Sequence, residues 1–304
     1  MTLDALRVVA FAGASNLPLW AGQQQGIFAR YGLEVTVEIT PNSRAMARDL
    51  HDGRYDLALT SVDNIVAYDE GQGEAELPGP ADFVALFGVD DGMLNVMAAA
   101  DIPDLAALRG RTVAVDAMTT GFAFVLREIL EAAGVADAVE WVAVGGGAQR
   151  LAALKAGEQA ATLLNTPLDL AAEADGFRRL ARASESIGPY QGIVGATRRA
   201  VAQDRRATLI AFMRAFRDCL DWLDANREDA AALLADRLRM PQAAATRAIG
   251  VLLDPARGIF RDLRVDMAGM RTVLALRSRH GRPARRLDDP AHYLDLSLRA
   301  EALG

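Results

Sequence analysis

Five short stretches carry side chains of the kind that hold or process a small polar molecule. They are Ala14-Ser15-Asn16, Asn42-Ser43-Arg44, Thr60-Ser61-Val62-Asp63-Asn64, Thr119-Thr120-Gly121 and Gly145-Gly146-Gly147. Their hydroxyls and amides donate and accept hydrogen bonds without committing to a charge. Arg44 adds a fixed positive charge that can grip a carboxylate or sulfonate through two parallel bonds. Asp63, Asp90 and Asp116 fall near the ends of apolar runs, where a general base could act beside a Ser or Thr oxyanion donor. No histidine or second carboxylate is spaced with them as a metal set, and no Gly-x-Ser-x-Gly elbow or nucleophile–base pair occurs. His51, His280 and His292 fall outside all of these stretches and read as structural or surface residues. The glycine triplet continues Ala148-Gln149-Arg150 and lacks both the Gly-Lys-Ser/Thr ending and the dinucleotide spacing, so a nucleotide is not its expected ligand.

Each stretch follows an apolar run of strand length and precedes a helical pattern. Strands are expected at Leu6–Ala12, Glu34–Ile39, Leu57–Thr60, Phe83–Val89, Asn95–Ala99, Thr112–Asp116, Glu140–Val144, Ala161–Leu164 and Gly192–Ala196. Helices are expected at Pro18–Tyr31, Ser43–Asp52, Ser61–Tyr68, Asp104–Leu108, Gly121–Ala133, Gly147–Ala156, Pro167–Glu173 and Arg199–Asn226. Ser43 reads as an N-cap. This alternation predicts an α/β fold with a largely parallel sheet. In such sheets ligands bind beyond the carboxyl ends of the strands, where helices present free N–H groups. The units Arg7–Val35 and Arg111–Gly134 would then face each other across one cleft. From Ala200 the pattern is almost wholly helical, with segments from Pro241, over Val265–Leu276 and over His292–Leu303, expected to pack back on one lobe. Gly71–Pro80 reads as an exposed loop.

The bulk composition narrows the partners. The 304 residues are 51% hydrophobic and 24% charged, enough for a large core in a two-domain protein. A net charge of −7 argues against a nucleic-acid surface. No apolar run approaches the ~18 residues of a membrane span. Cys219, the sole cysteine, falls on a helical apolar stripe and excludes an intrachain disulfide. The start MTLDALRVVAF has neither the basic residues nor the apolar stretch of a signal peptide. On this reading the protein is periplasmic if a leader has been removed, and cytoplasmic if Met1 is the native start.

Several motifs together resemble a known family. Asn16-Leu17-Pro18-Leu19-Trp20, Gly26-Ile27-Phe28 and Tyr31-Gly32-Leu33-Glu34-Val35 are similar to the opening of the substrate-binding proteins that serve nitrate, sulfonate, taurine and thiamine-precursor ABC importers. Leu50-His51-Asp52-Gly53-Arg54-Tyr55-Asp56-Leu57-Ala58 resembles that family's Gly-x-x-Asp segment. Leu108-Arg109-Gly110-Arg111-Thr112-Val113-Ala114-Val115 resembles the start of its second lobe, and Ala156-Gly157 with Asn165-Thr166-Pro167 a later strand and loop. The likeness covers roughly Leu6 to Asn226. It implies a two-lobed type II periplasmic-binding-protein fold with a hinge, a central ligand cleft and a helical C-terminal region. Lobe 1 would comprise residues 1–95 plus 195–304, and lobe 2 residues 96–194. Carried over by position, the ligand contacts would be Ala14, Ser15, Asn16, Ser43, Arg44, Thr60, Ser61 and Asp63 from lobe 1. Lobe 2 would offer Thr119, Thr120, Gly121, Gly146 and Asn165.

The resemblance implies a solute-binding protein for a small organic acid, sulfonate or heterocycle, with an ABC-transporter permease as partner and no cofactor. A pyrimidine-synthesising branch of the family uses a Cys-rich motif and a lysine-linked pyridoxal cofactor. That motif is absent here, and Lys155, the one lysine, falls on an expected helix outside the loops. A cytoplasmic decarboxylase, hydrolase or biosynthetic enzyme on the same fold is the alternative, and a ligand-sensing module a third.

Overall fold

The computed structural model describes residues 3–304 and resolves the alternating runs into two five-stranded sheets. The strands are β1 (Asp4–Phe11), β2 (Leu33–Thr40), β3 (Leu57–Ser61), β4 (Phe83–Gly88) and β5 (Leu94–Ala98). They continue as β6 (Thr112–Val115), β7 (Glu140–Ala143), β8 (Ala161–Asn165), β9 (Arg178–Arg182) and β10 (Ile193–Arg198). The first sheet runs β2-β1-β3-β10-β4, and the second β7-β6-β8-β5-β9. Each is mixed rather than largely parallel. β10 lies antiparallel between β3 and β4, and β5 antiparallel between β8 and β9. The reason is topological: a strand arriving directly from the other sheet enters without a βαβ crossover to set its direction. β9, missed in the sequence, is a charged strand at a sheet edge, where arginines are tolerated because one side is unpaired.

The helices are α1 (Leu17–Gln24), α2 (Ile27–Arg30), α3 (Ser43–His51), α4 (Val62–Asp69), α5 (Gly121–Ala132), α6 (Gly147–Lys155), α7 (Leu168–Ala174) and α8 (Ala183–Ser186). The C-terminal third holds α9 (Arg199–Asp204), α10 (Arg206–Ala225), α11 (Arg227–Leu238), α12 (Gln242–Leu252), α13 (Met267–His280) and α14 (Ser297–Leu303). The helix expected over Pro18–Tyr31 is broken because Gly26 takes a left-handed φ of 63°. The one expected over Arg199–Asn226 breaks at Arg205, and that over His292–Leu303 divides into a 3-10 turn at Pro290–Tyr293 and α14. The cap of α3 is Asn42, whose Oδ1 accepts from Ala45 N at 2.9 Å, and not Ser43. Gly71–Pro80 is not wholly exposed: Gln72 is buried and Glu74 half-buried.

The C-terminal helices do not serve one lobe alone. α10 packs on α1 and α14, whereas α12 touches α7, and α13 lies against both α4 and α5. The chain between α12 and α13 runs along the two crossovers that join the sheets. Phe260 N donates to Val89 O at 2.7 Å, Gly88 N to Leu263 O at 3.1 Å, and Asp266 N to Gln191 Oε1 at 2.8 Å. One apolar cluster includes Val62 and Ile65 of α4, Phe124 and Ile129 of α5, and Met270, Val273 and Leu274 of α13. This C-terminal strap therefore joins the lobes with buried apolar surface as well as with backbone bonds. Among the described residues no helix is long and apolar enough to cross a membrane.

Candidate functional site

The carboxyl ends of β1 and β3 face those of β8 and β6. A Cβ built on Gly13 would stand 3.6 Å from Asn165 Nδ2, and one on Gly121 would collide with the Asp63 carboxyl. The lobes are thus closed on each other. The N-terminus of α5 approaches Asp63 so closely that only glycine fits at its first position.

The centre of this closed cleft is a buried ion pair. Arg277, on α13, donates from Nε to Asp63 Oδ1 at 2.6 Å and from Nη2 to Oδ2, and both residues are almost fully buried. Burial disfavours the Arg277 charge, but the Asp63 carboxylate more than offsets this and holds the guanidinium pKa above its ordinary value. The same guanidinium lies 4.8 Å from the centre of the Phe124 ring, on α5 of the other lobe. Its Nη1 has no protein partner.

Four further polar atoms around the pair are buried without a protein partner: Ser61 Oγ, Tyr190 OH, Tyr68 OH and Glu74 Oε1. Tyr190 stands near Ser61, Asp63 and Arg277, and burial pushes its phenol well up. Tyr68 stands near Ser43 and Glu74, and its phenol is also raised by burial. Burial likewise raises the Glu74 carboxyl, with Arg44 opposing and Asp116 adding to the shift. A buried donor or acceptor left unmatched costs roughly 1–3 kcal/mol. Five such atoms lie together in this part of the closed cleft.

The residues expected from sequence divide clearly. Ser61, Asp63 and Gly121 meet at the centre, with Asn165 opposite Gly13. Ser15 Oγ donates to Asp90 Oδ2 at 2.6 Å, and Asn16 Nδ2 to Phe11 O at 2.6 Å, so both brace the first loop beside the buried Ala14. Thr60, fully buried, accepts from Asn64 Nδ2 at 3.0 Å. Thr120 caps α5 and donates to Asp116 Oδ1 at 2.6 Å, while Thr119 is exposed. Gly146 N donates to Gln149 Oε1 at 2.6 Å. Ser43 is half-buried and Arg44 exposed at the rim.

Asp90 lies in the hinge, accepting from Gly92 N at 2.8 Å and Ile193 N at 3.1 Å. Both crossovers hang on its Oδ1, and burial raises its pKa.

Arg277, Tyr190, Tyr68, Glu74 and Arg150 were missed. Arg150 is buried beneath the glycine loop, donating to Gly145 O at 2.7 Å and Leu163 O at 3.0 Å, and burial lowers its pKa. A signal existed for two of these. Arg277 continues the stripe Met270, Val273, Leu274 that the buried face of α13 occupies, and Arg150 adjoins the buried Leu151 and Leu154. A charge on an apolar stripe marks a buried partner.

Comparison with known proteins agrees with this fold. The chain superposes on the periplasmic nitrate-binding protein NrtA of Synechocystis PCC 6803 with a TM-score of 0.79 at 15% identity, covering 99% of this chain and 88% of that one. A protein of Bordetella bronchiseptica RB50 matches with a TM-score of 0.77 at 19% identity, over 98% and 96% of the two chains. The alkanesulfonate-binding protein SsuA of Xanthomonas axonopodis pv. citri, bound to MOPS, matches at 0.76 and 18% identity, over 97% and 99%. At these identities the likeness establishes the periplasmic-binding-protein fold. No curated protein sequence matches the chain. The NMT1-like family profile matches residues 4–238, well over half of the sequence, and the chain belongs to the NMT1-like family.

Proposed function

We propose that the protein is the solute-binding component of an ABC importer, working outside the cytoplasmic membrane and handing its ligand to a permease. The ligand sits between two lobes, residues 1–93 with 193–304 and residues 94–192, a division that keeps β5 and β10 whole. This reading is supported by the family, by neighbours that include binding proteins for nitrate and sulfonates, and by the closed cleft.

Within the ligand classes open to such a protein, we favour a small heterocycle without net charge. The observation that carries this is the Arg277–Asp63 pair. The one cation at the centre of the cleft is already neutralised, so it offers a ligand a single Nη1 donor rather than an unspent charge. Arg150 gives its Nη1 and Nη2 to carbonyls and keeps only its Nε unpartnered. A nitrate or sulfonate would have to give up its hydration for a neutral site that also holds Glu74 and Asp116. A ring with both acceptors and donors would satisfy Nη1, the Tyr190 and Ser61 hydroxyls and Glu74 together.

Isothermal titration with neutral heterocycles (pyrimidines among them), aromatic acids, alkanesulfonates and nitrate tests this. A heterocycle should bind with a Kd in the micromolar range, about −8 kcal/mol, and Glu74→Gln should weaken it by about tenfold. Tight binding of nitrate or a sulfonate, with no heterocycle bound, would overturn the ligand class. Mass spectrometry of the released ligand should return it unchanged, and turnover would overturn the binding role.

A further inference from the structure

Away from the cleft, the C-terminal end of α4 meets the 3-10 turn at Pro290–Tyr293. There one ligating atom each from Asp69, Glu70 and His292 lies within 4.8 Å of the others, and His292 Nε2 stands 2.8 Å from Asp69 Oδ2. We infer that these three residues form a binding site for a divalent transition-metal ion, with Zn²⁺ the best fit.

The chemistry of the set is the first argument. One imidazole and two carboxylates make an open three-ligand site that a tetrahedral ion completes with water, through bonds of about 2.0–2.2 Å. His292 is solvent-exposed and the side chains of Asp69 and Glu70 partly so, which leaves the ion a path in without disturbing the core.

Charge is the second. Tyr293 OH donates to Glu70 Oε1 at 2.7 Å, and the Arg285 Nε stands 3.9 Å from Glu70 Oε2. That phenol orients Glu70 in the way an outer hydrogen bond orients a metal-ligating carboxylate. Asp69 pairs with His292 and, among the described residues, with no arginine or lysine. The molecule provides its own contrast. Glu128, Glu131 and His280 lie within the same reach of one another, but Arg279 bonds Glu128 at 2.9 Å and Glu131 at 2.5 Å. Arg127 adds a contact to Glu131 at 3.6 Å. Those carboxylates already have their cations.

The position gives the site a consequence. α4 carries Asp63 in its first turn and ends at Asp69, while the strap carries Arg277 and then His292. An ion at Asp69, Glu70 and His292 fastens the strap to α4 at a second point, outside the cleft.

The test uses the full chain, stripped of metal by EDTA and titrated with Zn²⁺ alone. We expect one ion per chain with a Kd in the micromolar range, and a rise of a few degrees in Tm at about 100-fold excess over Kd. His292→Ala and Asp69→Asn should each weaken binding by about tenfold or more, whereas Glu128→Gln should not. Glu70→Gln, which keeps an acceptor for Tyr293, serves as a third variant should either of the others melt early without metal. Unchanged affinity in the folded variants, or no saturable binding to wild type below about 1 mM, overturns the site.

Discussion

At the scale of single residues, burial without a counter-charge has a measurable signature. Asp91 and Asp169 both line the groove between α12 and the second sheet, and burial pushes each carboxyl up to about 6. Asp169 Oδ2 accepts from Asn95 Nδ2 at 2.9 Å, but its Oδ1 has no protein partner. A folded-state pKa above the unfolded value of about 3.9 means that the native state holds the proton more tightly. The contribution to stability is present in full below about pH 4 and is lost as pH rises through about 6. Asp169→Asn should therefore raise stability at pH 7 by ~1–2 kcal/mol and have little effect at pH 4, read by urea denaturation at both. Equal effects at the two pH values would contradict the assignment. Ser61, Asp63 and Gly121, which the fold brings together, stand out in the sequence because polar residues directly after an apolar run are local patterns. It could not find the partner of Asp63, since Arg277 is 214 residues away and only packing brings them together.

At the scale of elements, most boundaries follow from local chemistry, and the exceptions have local causes. α3 illustrates both. A helix was readable from Ser43, yet the cap is one residue earlier, because Asn42 has the extended backbone that aims its side chain at the Ala45 N–H. Asn42→Ala should cost ~1 kcal/mol in thermal or urea unfolding, and Ser43→Ala only a few tenths. A reversed order would return the cap to Ser43. β9 was illegible for a different reason. Its arginines carry no alternating pattern, and it exists because β5 offers it a ladder. The direction of β5 and β10 was equally hidden, since it depends on which sheet the chain has just left.

At the scale of the whole molecule, an α/β fold was legible from the order of motifs, while the strap was not. Amphipathic helices announce a buried face but not what covers it. The closed state makes one strong demand, that nothing larger than a hydrogen stands on Gly121. Gly121→Ala improves helix propensity at α5 yet places a methyl group against Asp63. It should lower the Tm of the ligand-free protein, since the closed packing has no room for the methyl group, and reduce ligand affinity by about tenfold or more in calorimetry. Retained affinity would mean that the ligand binds a more open form.

The position of β10 also dictates an order of events during synthesis. The second sheet is drawn entirely from β5 to β9, a continuous stretch of chain. The first sheet lacks its fourth strand until β10 emerges, and β4 has no neighbour in that sheet other than β10. Domains generally fold as units while the chain leaves the ribosome. The inserted lobe can therefore complete its sheet first, while β1 to β4, translated earlier, wait with an exposed edge for a strand that arrives after it.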